Sequence, residues 1–227
     1  MKRSLIYLLL AGSAWGQILQ VIATSKPPVA AVIAHGNADS VYCSGSSSTC
    51  STSATITAGQ TLKVWVEWAT TTNTLNSVTA CGDTLTLVLN PTTAGANSAA
   101  GAYVLNSTGG SCTITATFSG NTTAFVIWDT NSGTTALDGT PIIGVGSGGT
   151  RTSGNVTTTA AGYCFGATSN YNAATGTANS PWTQGVNNTT NAAYSEYYVT
   201  PSSGNYSASF TQSPTWPTTG VLAMCFK

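Results

Sequence analysis

Charged side chains are almost missing from this sequence. Only 5% of its 227 residues are Asp, Glu, Lys or Arg, and no basic segment is present. Because neutralisation of phosphates by Lys and Arg supplies most of the affinity for nucleic acid, this composition argues against a nucleic-acid partner. The polar residues are instead Thr, Ser, Asn and Gly, a mixture typical of strands with hydroxyl-bearing outer faces joined by tight turns.

Histidine is nearly absent as well. His35 is the one histidine, and no C-x-x-C pair exists, so the residues of a zinc site are missing. A copper site that needs two histidines is excluded for the same reason, and a serine hydrolase is not indicated because no G-x-S-x-G element precedes a helix. We expect no cofactor, and we place His35 in a surface turn over residues 35–39.

The sequence also lacks an apolar run as long as the roughly 20 residues that a membrane-spanning helix needs. The apolar residues 5–11 follow Lys2-Arg3 and precede Ala14-Trp15-Gly16. That order is typical of a secretory signal peptide. We therefore predict a signal peptide over residues 1–16, cleavage before Gln17, no membrane span, and a secreted protein at the cell surface.

Cysteine is present in an even number, six, which in an exported chain indicates three disulfides. Sequence alone leaves many pairings open. We predict a sequential pairing, because the first pair would close a small Ser-rich loop and the last would join two apolar strands distant in sequence. The predicted disulfides are Cys43–Cys50, Cys81–Cys112 and Cys164–Cys225.

Hydrophobic residues follow a period of two in several segments. Over residues 62–68, Leu and Val alternate with Lys63, Trp65 and Glu67, which predicts a half-buried strand with Glu67 on its polar face. Residues 221–227 form an unbroken apolar run that predicts a buried strand, while the glycines of residues 144–149 suggest a loop. No segment has a convincing helical period.

More than ten short strands at regular spacing predict an all-β fold, an antiparallel β-sandwich of jelly-roll type that is stapled by disulfides. We divide the chain after the signal peptide into an N-terminal arm with a first strand and a small disulfide loop, residues 17–52, and a β-sandwich domain, residues 53–227.

Residues 75–227 resemble a widespread, poorly characterised family of secreted bacterial β-sandwich modules found in large surface proteins. The stretches that carry the resemblance are Ser77-Val78-Thr79, Gly82-Asp83-Thr84-Leu85-Thr86-Leu87, Thr113-Ile114-Thr115-Ala116-Thr117-Phe118-Ser119-Gly120, Ala136-Leu137-Asp138-Gly139, Thr152-Ser153-Gly154-Asn155-Val156-Thr157-Thr158-Thr159 and Gly204-Asn205-Tyr206-Ser207-Ala208-Ser209-Phe210. The resemblance implies a concanavalin-like or jelly-roll sandwich and brings no catalytic motif. The cysteines depart from the pattern of the family.

Few side chains are available for catalysis or metal binding. Glycan hydrolysis needs two facing carboxylates, and the candidates are Glu67, Asp129, Asp138 and Glu196. The aromatic neighbours of Glu196 could raise the pKa of its carboxyl by desolvation. Asp129 and Asn131, in a predicted turn over residues 129–133, are a weak calcium candidate, and turn chemistry explains them equally well.

Three functions remain open. The first is a non-catalytic structural or adhesive protein, for example the repeating subunit of an extracellular filament or layer. In such a subunit the apolar residues Ile18, Leu19, Val21 and Ile22 would donate a strand to a neighbour or form a disordered leader. The second is a carbohydrate-binding module that stacks sugars on Trp182, Trp216, Tyr171 and Tyr197. The third is a glycan-active hydrolase. The expected partners are further copies of the chain, other surface proteins, or glycans.

Overall fold

The computed structural model describes residues 31–45, 47–94, 97–170 and 175–227. Within these ranges the chain contains no helix, and every pair of neighbouring strands is antiparallel. The all-β, antiparallel prediction is therefore confirmed. The signal peptide and the arm residues Ile18 to Ile22 lie outside the described residues. From residue 31 onwards the chain forms one compact unit.

Seventeen strands are defined in this unit. In chain order they are β1 (Ala34–Cys43), β2 (Thr49–Ile56), β3 (Thr61–Trp68), β4 (Leu75–Ala80), β5 (Asp83–Thr84), β6 (Thr86–Ala94), β7 (Asn97–Val104), β8 (Gly110–Phe118), β9 (Ala124–Ser132), β10 (Ile142–Thr152), β11 (Val156–Thr158), β12 (Gly162–Ser169), β13 (Thr175–Ala178), β14 (Thr183–Asn188), β15 (Ala193–Thr200), β16 (Gly204–Tyr206) and β17 (Ser209–Phe226).

The strands form three main sheets that pack in layers. The central sheet has the order β1-β9-β3-β7-β6, and the small sheet has the order β2-β8-β4-β5. The C-terminal sheet has the order β10-β17-β12-β15-β14, with β13 paired to β17, while β11 and β16 form a separate pair. The central sheet contacts the small sheet on one face and the C-terminal sheet on the other.

Strand β3 shows why the layers form. Leu62, Val64 and other even-numbered residues of β3 enter the core shared with the small sheet, whereas Trp65 enters the core shared with the C-terminal sheet. All eight residues of β3 are buried. The prediction of a half-buried strand with a solvated polar face is therefore wrong, because a third sheet covers the face that carries Lys63 and Glu67.

Strand β17 confirms the prediction of a buried C-terminal strand. Residues 221–226 are all buried, and this part of β17 pairs with β10 on one side and β12 on the other. Cys225 lies directly opposite Cys164 in the register of β12 and β17. The two cysteine-bearing strands are neighbours, as the predicted pairing required.

The three disulfides join Cys43 to Cys50, Cys81 to Cys112 and Cys164 to Cys225, with Cα–Cα distances of 5.6, 5.0 and 4.0 Å. The sequential pairing predicted from the sequence is the pairing in the structure. Disulfides of this kind are typical of oxidising compartments outside the cytosol. Among the described residues, none belongs to a helix with the length and apolarity to cross a bilayer.

Two predicted loops are strands. Residues 35–39, predicted as a turn, lie in β1, which pairs with β9 and has a register irregularity between His35 and Ala38. The glycine-rich residues 144–149 lie in β10. The predicted domain boundary after residue 52 falls inside β2, so the described residues of the N-terminal segment belong to the same β-structure as the rest.

Candidate functional site

The layer between the central and C-terminal sheets contains buried polar and charged side chains in addition to its apolar core. One group, the lysine cluster, consists of His35, Lys63, Asp129, Asn131 and Tyr163. A second group, the glutamate cluster, consists of Trp65, Glu67, Asn97 and Ser169. Burial of charged groups costs free energy unless they are paired, so the partners within each cluster determine whether the fold tolerates these groups.

The pairing of β3 with β9 forms the lysine cluster. Lys63 lies opposite Asp129 in the register of these strands, and Asn131 is two residues further along β9, on the same face. The Nζ atom of Lys63 lies 2.7 Å from Oδ1 of Asp129 and donates a hydrogen bond of 2.7 Å to Oδ1 of Asn131. All three side chains are fully buried.

The carboxamide of Asn131 is held in one orientation. Its Nδ2 atom donates to the carbonyl oxygen of Ser132 at 3.0 Å and to Oγ1 of Thr134 at 2.9 Å. Thr134 is bonded in turn to the hydroxyl of Thr61, at 2.9 Å. With the amide nitrogen fixed by these acceptors, the carbonyl oxygen points at Lys63.

Tyr163, on β12 of the C-terminal sheet, closes the cluster from the opposite layer. Its hydroxyl donates to Oδ1 of Asp129 at 2.8 Å, and Nζ of Lys63 lies 4.1 Å from the centre of its ring. The Nδ1 atom of His35 lies 2.7 Å from the same hydroxyl. Because the one hydroxyl proton goes to Asp129, Nδ1 of His35 is the donor in that bond.

His35 connects the cluster to solvent. Its side chain is 24% exposed, and its Nδ1 lies 3.2 Å from Oδ2 of Asp129. The imidazole stacks on the ring of Tyr197, with 3.9 Å between ring centres. His35, Tyr163 and Asp129 therefore form a continuous chain of polar contacts from the surface to the amine of Lys63.

Burial changes the acid–base properties of the cluster. Desolvation lowers the pKa of Lys63 to about 8, although the charge and hydrogen bond of Asp129 favour the protonated form. Burial and the neighbouring carboxylate of Asp129 raise the pKa of Tyr163 well above its ordinary value. Near neutral pH, the fraction of molecules in which such a lysine is an uncharged, nucleophilic amine is much larger than for a lysine in water.

The glutamate cluster also joins the central sheet to the C-terminal sheet. Glu67 accepts hydrogen bonds from Ser169 Oγ at 2.5 Å and from Asn97 Nδ2 at 2.9 Å. Trp65 Nε1 donates to the Ser169 hydroxyl at 3.1 Å. Burial raises the pKa of Glu67 to about 7, and the hydrogen bonds and the positive charge of Arg151 oppose that rise.

The two remaining carboxylate candidates have structural partners. Glu196 is buried on the other face of the C-terminal sheet, where its Oε1 accepts a hydrogen bond of 2.6 Å from the Ser209 amide, and burial raises its pKa to about 8. Asp138 accepts hydrogen bonds from the amides of Thr159 and Ala160. No two of the four candidates face each other across an open cleft in the described part of the chain.

The weak calcium candidate is not supported. Asp129 and Asn131 lie within β9 rather than in a turn, and the cation that their oxygen atoms bind is the ammonium group of Lys63. The described residues contain no group of three or more His, Cys, Asp or Glu that could hold a metal ion.

Two of the predicted sugar-stacking residues, Trp182 and Tyr197, do not form an exposed platform. Trp182 lies in the turn before β14, but it is only 7% exposed and packs against Tyr198, so its ring is not free to stack on a sugar. Tyr197 is half-buried against His35. Trp216 lies in β17, and Tyr171 lies outside the described residues.

Two shallow surface grooves flank the irregular part of β1. The larger, about 470 Å³, is lined mainly by polar residues and includes Asn37, Asp39 and Trp128, whose indole is 4% exposed. The smaller, about 380 Å³, lies between Asp39 and residues 185–190. Neither groove is lined by Lys63, Glu67 or Glu196, so an external substrate in them would not reach a buried reactive group.

The sequence-based reasoning missed Lys63, which is the centre of the lysine cluster. Its signal was present, since Lys63 is one of only four lysines and stands between Leu62 and Val64 in an apolar strand. A charge in such a segment is a candidate for burial with a partner. Nothing in the local pattern identified Asp129 and Asn131 as that partner, because the pairing of β3 with β9 is a long-range contact.

The chain was compared with known proteins at three levels. No family model, no curated protein and no solved structure matches it.

Proposed function

We propose that this protein is a secreted, non-catalytic structural or adhesive component of a cell surface, and that it acts as a repeating subunit of an extracellular filament or layer. The observation that carries the proposal is the use of its charged groups. Of six acidic side chains, four are buried in the interior, namely Glu67, Asp129, Asp138 and Glu196. Asp129 and Glu67 join the central sheet to the C-terminal sheet, and Asp138 and Glu196 bind backbone amides, so these carboxylates serve the fold rather than an open reaction site.

The outer face of the small sheet supports this proposal. In β2, β8 and β4, hydroxyl-bearing residues lie side by side across the sheet, and Ser51 Oγ and Thr115 Oγ1 are 3.0 Å apart. The members of this hydroxyl face are Thr49, Ser51, Ser53, Thr55, Ser77, Thr79, Thr113, Thr115 and Thr117. None carries a charge, so two copies of the face can approach without electrostatic repulsion.

The proposal retains the secreted, jelly-roll-like β-sandwich character that the resemblance to bacterial surface modules implies. The disulfides and the signal-peptide pattern support export. Outside the cell, disulfides and a surface with few titratable groups help a protein to stay folded.

Imaging of the purified mature protein by electron microscopy tests the proposal. We expect filaments or sheets with a regular repeat. The double variant Thr79→Lys/Thr115→Lys should reduce assembly by placing like charges on the hydroxyl face, whereas the matched control Ser203→Lys, in an exposed bend, should assemble as the wild type does. Deletion of residues 17–28 tests the predicted arm separately. Monodisperse monomers at every concentration would contradict the proposal.

Carbohydrate binding is the second candidate function. The groove beside β1 offers the amide of Asn37, the carboxylate of Asp39 and hydroxyls of Ser53 and Thr55 to a polar ligand. The wild-type protein should then bind to glycans on an array, and the Asp39→Ala variant should not bind. Equal binding by both proteins, or no binding at all, would remove this candidate.

A further inference from the structure

Lys63 and Asn131 lie close enough to react with each other. The amine nitrogen of Lys63 is 2.7 Å from the carbonyl oxygen of Asn131. A C=O bond adds about 1.2 Å, so the carboxamide carbon lies within about 4 Å of the amine. This approaches the separation of about 3–3.5 Å at which pre-oriented groups react. The neighbouring strands β3 and β9 hold both residues in place.

We propose that Lys63 and Asn131 form an intramolecular amide cross-link between β3 and β9, with Asp129 as the proton carrier. This inference is independent of the filament or layer suggested above. In the reaction, Nζ of Lys63 forms a bond to Cγ of Asn131, the bond between Cγ and Nδ2 breaks, and ammonia leaves. One proton passes from the attacking nitrogen to Asp129, and one proton joins the departing nitrogen, whose neighbour is the hydroxyl of Thr134, so that the overall step releases neutral ammonia. No oxidant, reductant or cofactor is required.

The surroundings favour each part of this reaction. Because burial lowers the pKa of Lys63 to about 8, roughly a tenth of its side chains are uncharged at pH 7. Asp129 Oδ1 is 2.7 Å from the amine, within the distance needed for general acid–base catalysis. Ser132 and Thr134 hold the amide nitrogen of Asn131 away from Lys63, so the carbonyl group is the part of the carboxamide that faces the amine.

Other reactions of Lys63 are disfavoured by the same geometry. Lys63 and Asp129 are fully buried, so an external substrate cannot contact the amine. Condensation of Lys63 with Asp129 itself would release water and would consume the carboxylate that carries the proton. Asp129 also accepts a hydrogen bond from Tyr163 and lies 3.2 Å from Nδ1 of His35, so both of its oxygen atoms already have other partners.

The cross-link would change how the core resists unfolding. It would join residues 68 positions apart in the sequence, on the two strands at the middle of the central sheet. Unlike the three disulfides, an amide bond is not broken by a reductant. The central sheet would thus gain a covalent link between two of its neighbouring strands.

Intact-mass spectrometry of the mature protein, denatured and fully reduced, tests the proposal. We expect a mass lower than that of the sequence by one ammonia molecule, and a proteolytic peptide pair in which Lys63 is joined to Asn131. A wild-type protein with the full mass after prolonged incubation would overturn the proposal. A mass lower by one water would assign the bond to a carboxylate, and would also overturn it.

Variants separate the cross-link from other losses of ammonia. Lys63→Arg keeps the charge and removes the nucleophile, so this variant should have the full mass. Loss of ammonia from the variant would indicate a cyclic imide at Asn131 and would contradict our assignment. Asp129→Asn should slow the reaction by about 10²–10⁴-fold. An unchanged rate would refute the role of Asp129. Asn76→Ala, at an exposed asparagine, is the matched control and should react as the wild type does. If a variant fails to fold, the presence or absence of the joined Lys63 and Asn131 peptides in the wild type still tests the cross-link.

Discussion

The two faces of β3 pack into layers of opposite chemistry. Leu62, Val64 and Val66 meet the small sheet in a layer of aliphatic and aromatic side chains, bordered by two disulfides. Lys63 and Glu67 point into the other layer, where they are bonded to residues of both sheets. Burial alone holds the first layer together, whereas the second depends on each charge keeping its partner.

This difference predicts distinct responses to mutation and to pH. Removal of a methyl or methylene group from the apolar layer costs the same free energy at any pH. Removal of one partner from the polar layer leaves a buried, unpaired group whose cost depends on protonation. The predictions below use that contrast, beginning with the largest expected effect.

Lys63→Met should be the most destabilising of these substitutions. In the protein without the proposed cross-link, it leaves the buried carboxylate of Asp129 without a cation, at a cost of about 3–5 kcal/mol. Leu62→Ala, on the other face, should cost about 2–5 kcal/mol by leaving a cavity. Denaturant unfolding measures both.

The pH dependence distinguishes these two variants. Because the pKa of Lys63 is lowered from an ordinary 10.5 to about 8, the wild type gains stability as pH rises between these values, so the cost of Lys63→Met should rise there, while that of Leu62→Ala should not change. The double variant Lys63→Met/Asp129→Leu should recover the part of the loss that is due to the unpaired carboxylate. Equal pH profiles for the two single variants would show that the layers do not differ as described.

The disulfides allow a second comparison, between the far face of the C-terminal sheet and the edge of the apolar layer. Cys164–Cys225, on the C-terminal sheet, closes a sequence separation of 61 residues, whereas Cys43–Cys50 closes 7. On the chain-entropy account their loss costs about 4 and about 2 kcal/mol respectively. The paired Cys→Ala variants, followed by thermal or denaturant unfolding, should therefore rank in that order. A reversed ranking would mean that local packing outweighs loop closure here.

The sequence predicted those features that depend on local pattern and on simple pairing. The absence of helices, the buried strand at residues 221–226 and the three disulfides all belong to this group. Alternation also identified the two faces of β3 correctly. It could not show what covers each face, because a sequence period of two is the same whether the polar face meets solvent or a third sheet.

The lysine cluster escaped prediction for a related reason. Its residues come from β1, β3, β9 and β12, and their proximity depends on pairings between strands that are distant in sequence. The residues His35 to Asp39 include Gly and Asn, which are common in turns, yet they form an irregular part of β1. That irregular strand is what brings His35 to Tyr163.

Glu67 should make stability depend on pH. Its pKa is raised from an ordinary 4.5 to about 7, so between these pH values the folded protein binds a proton that the unfolded chain has lost. Stability should therefore fall as pH rises through this window, by an amount on the order of 3 kcal/mol. Glu67→Gln should flatten the profile, as measured by unfolding at a series of pH values.

Glu196→Gln is the matched variant on the other face of the C-terminal sheet. The pKa of Glu196 is raised to about 8, so its contribution to the fall in stability should extend to a higher pH than that of Glu67. If neither substitution alters the profile, the carboxylates are better solvated than their burial indicates.

The smallest predicted effects concern two aspartates that fix turns beside the two layers. Asp83, near the small sheet, accepts hydrogen bonds from the amide and hydroxyl of Thr108, and Asp138 makes the same pair of bonds with Thr159. In both residues partial desolvation alone would raise the carboxyl pKa, but these hydrogen bonds give a net lowering. Each carboxylate therefore stabilises the fold above its unfolded pKa, and this stabilisation is lost as pH falls through the folded pKa.

Asp83→Asn and Asp138→Asn should each cost about 1–2 kcal/mol at neutral pH and little in acid. The larger loss should occur at Asp138, because it is only 2% exposed and also lies 3.6 Å from the ammonium group of Lys227. Salt should reduce the difference between the two variants, since it screens the exposed lysine and leaves the hydrogen bonds unchanged. Chemical denaturation at low and high salt measures this difference, and a larger loss at Asp83 would show that the neutral turn hydrogen bonds, rather than burial and charge, set the strength of these turns.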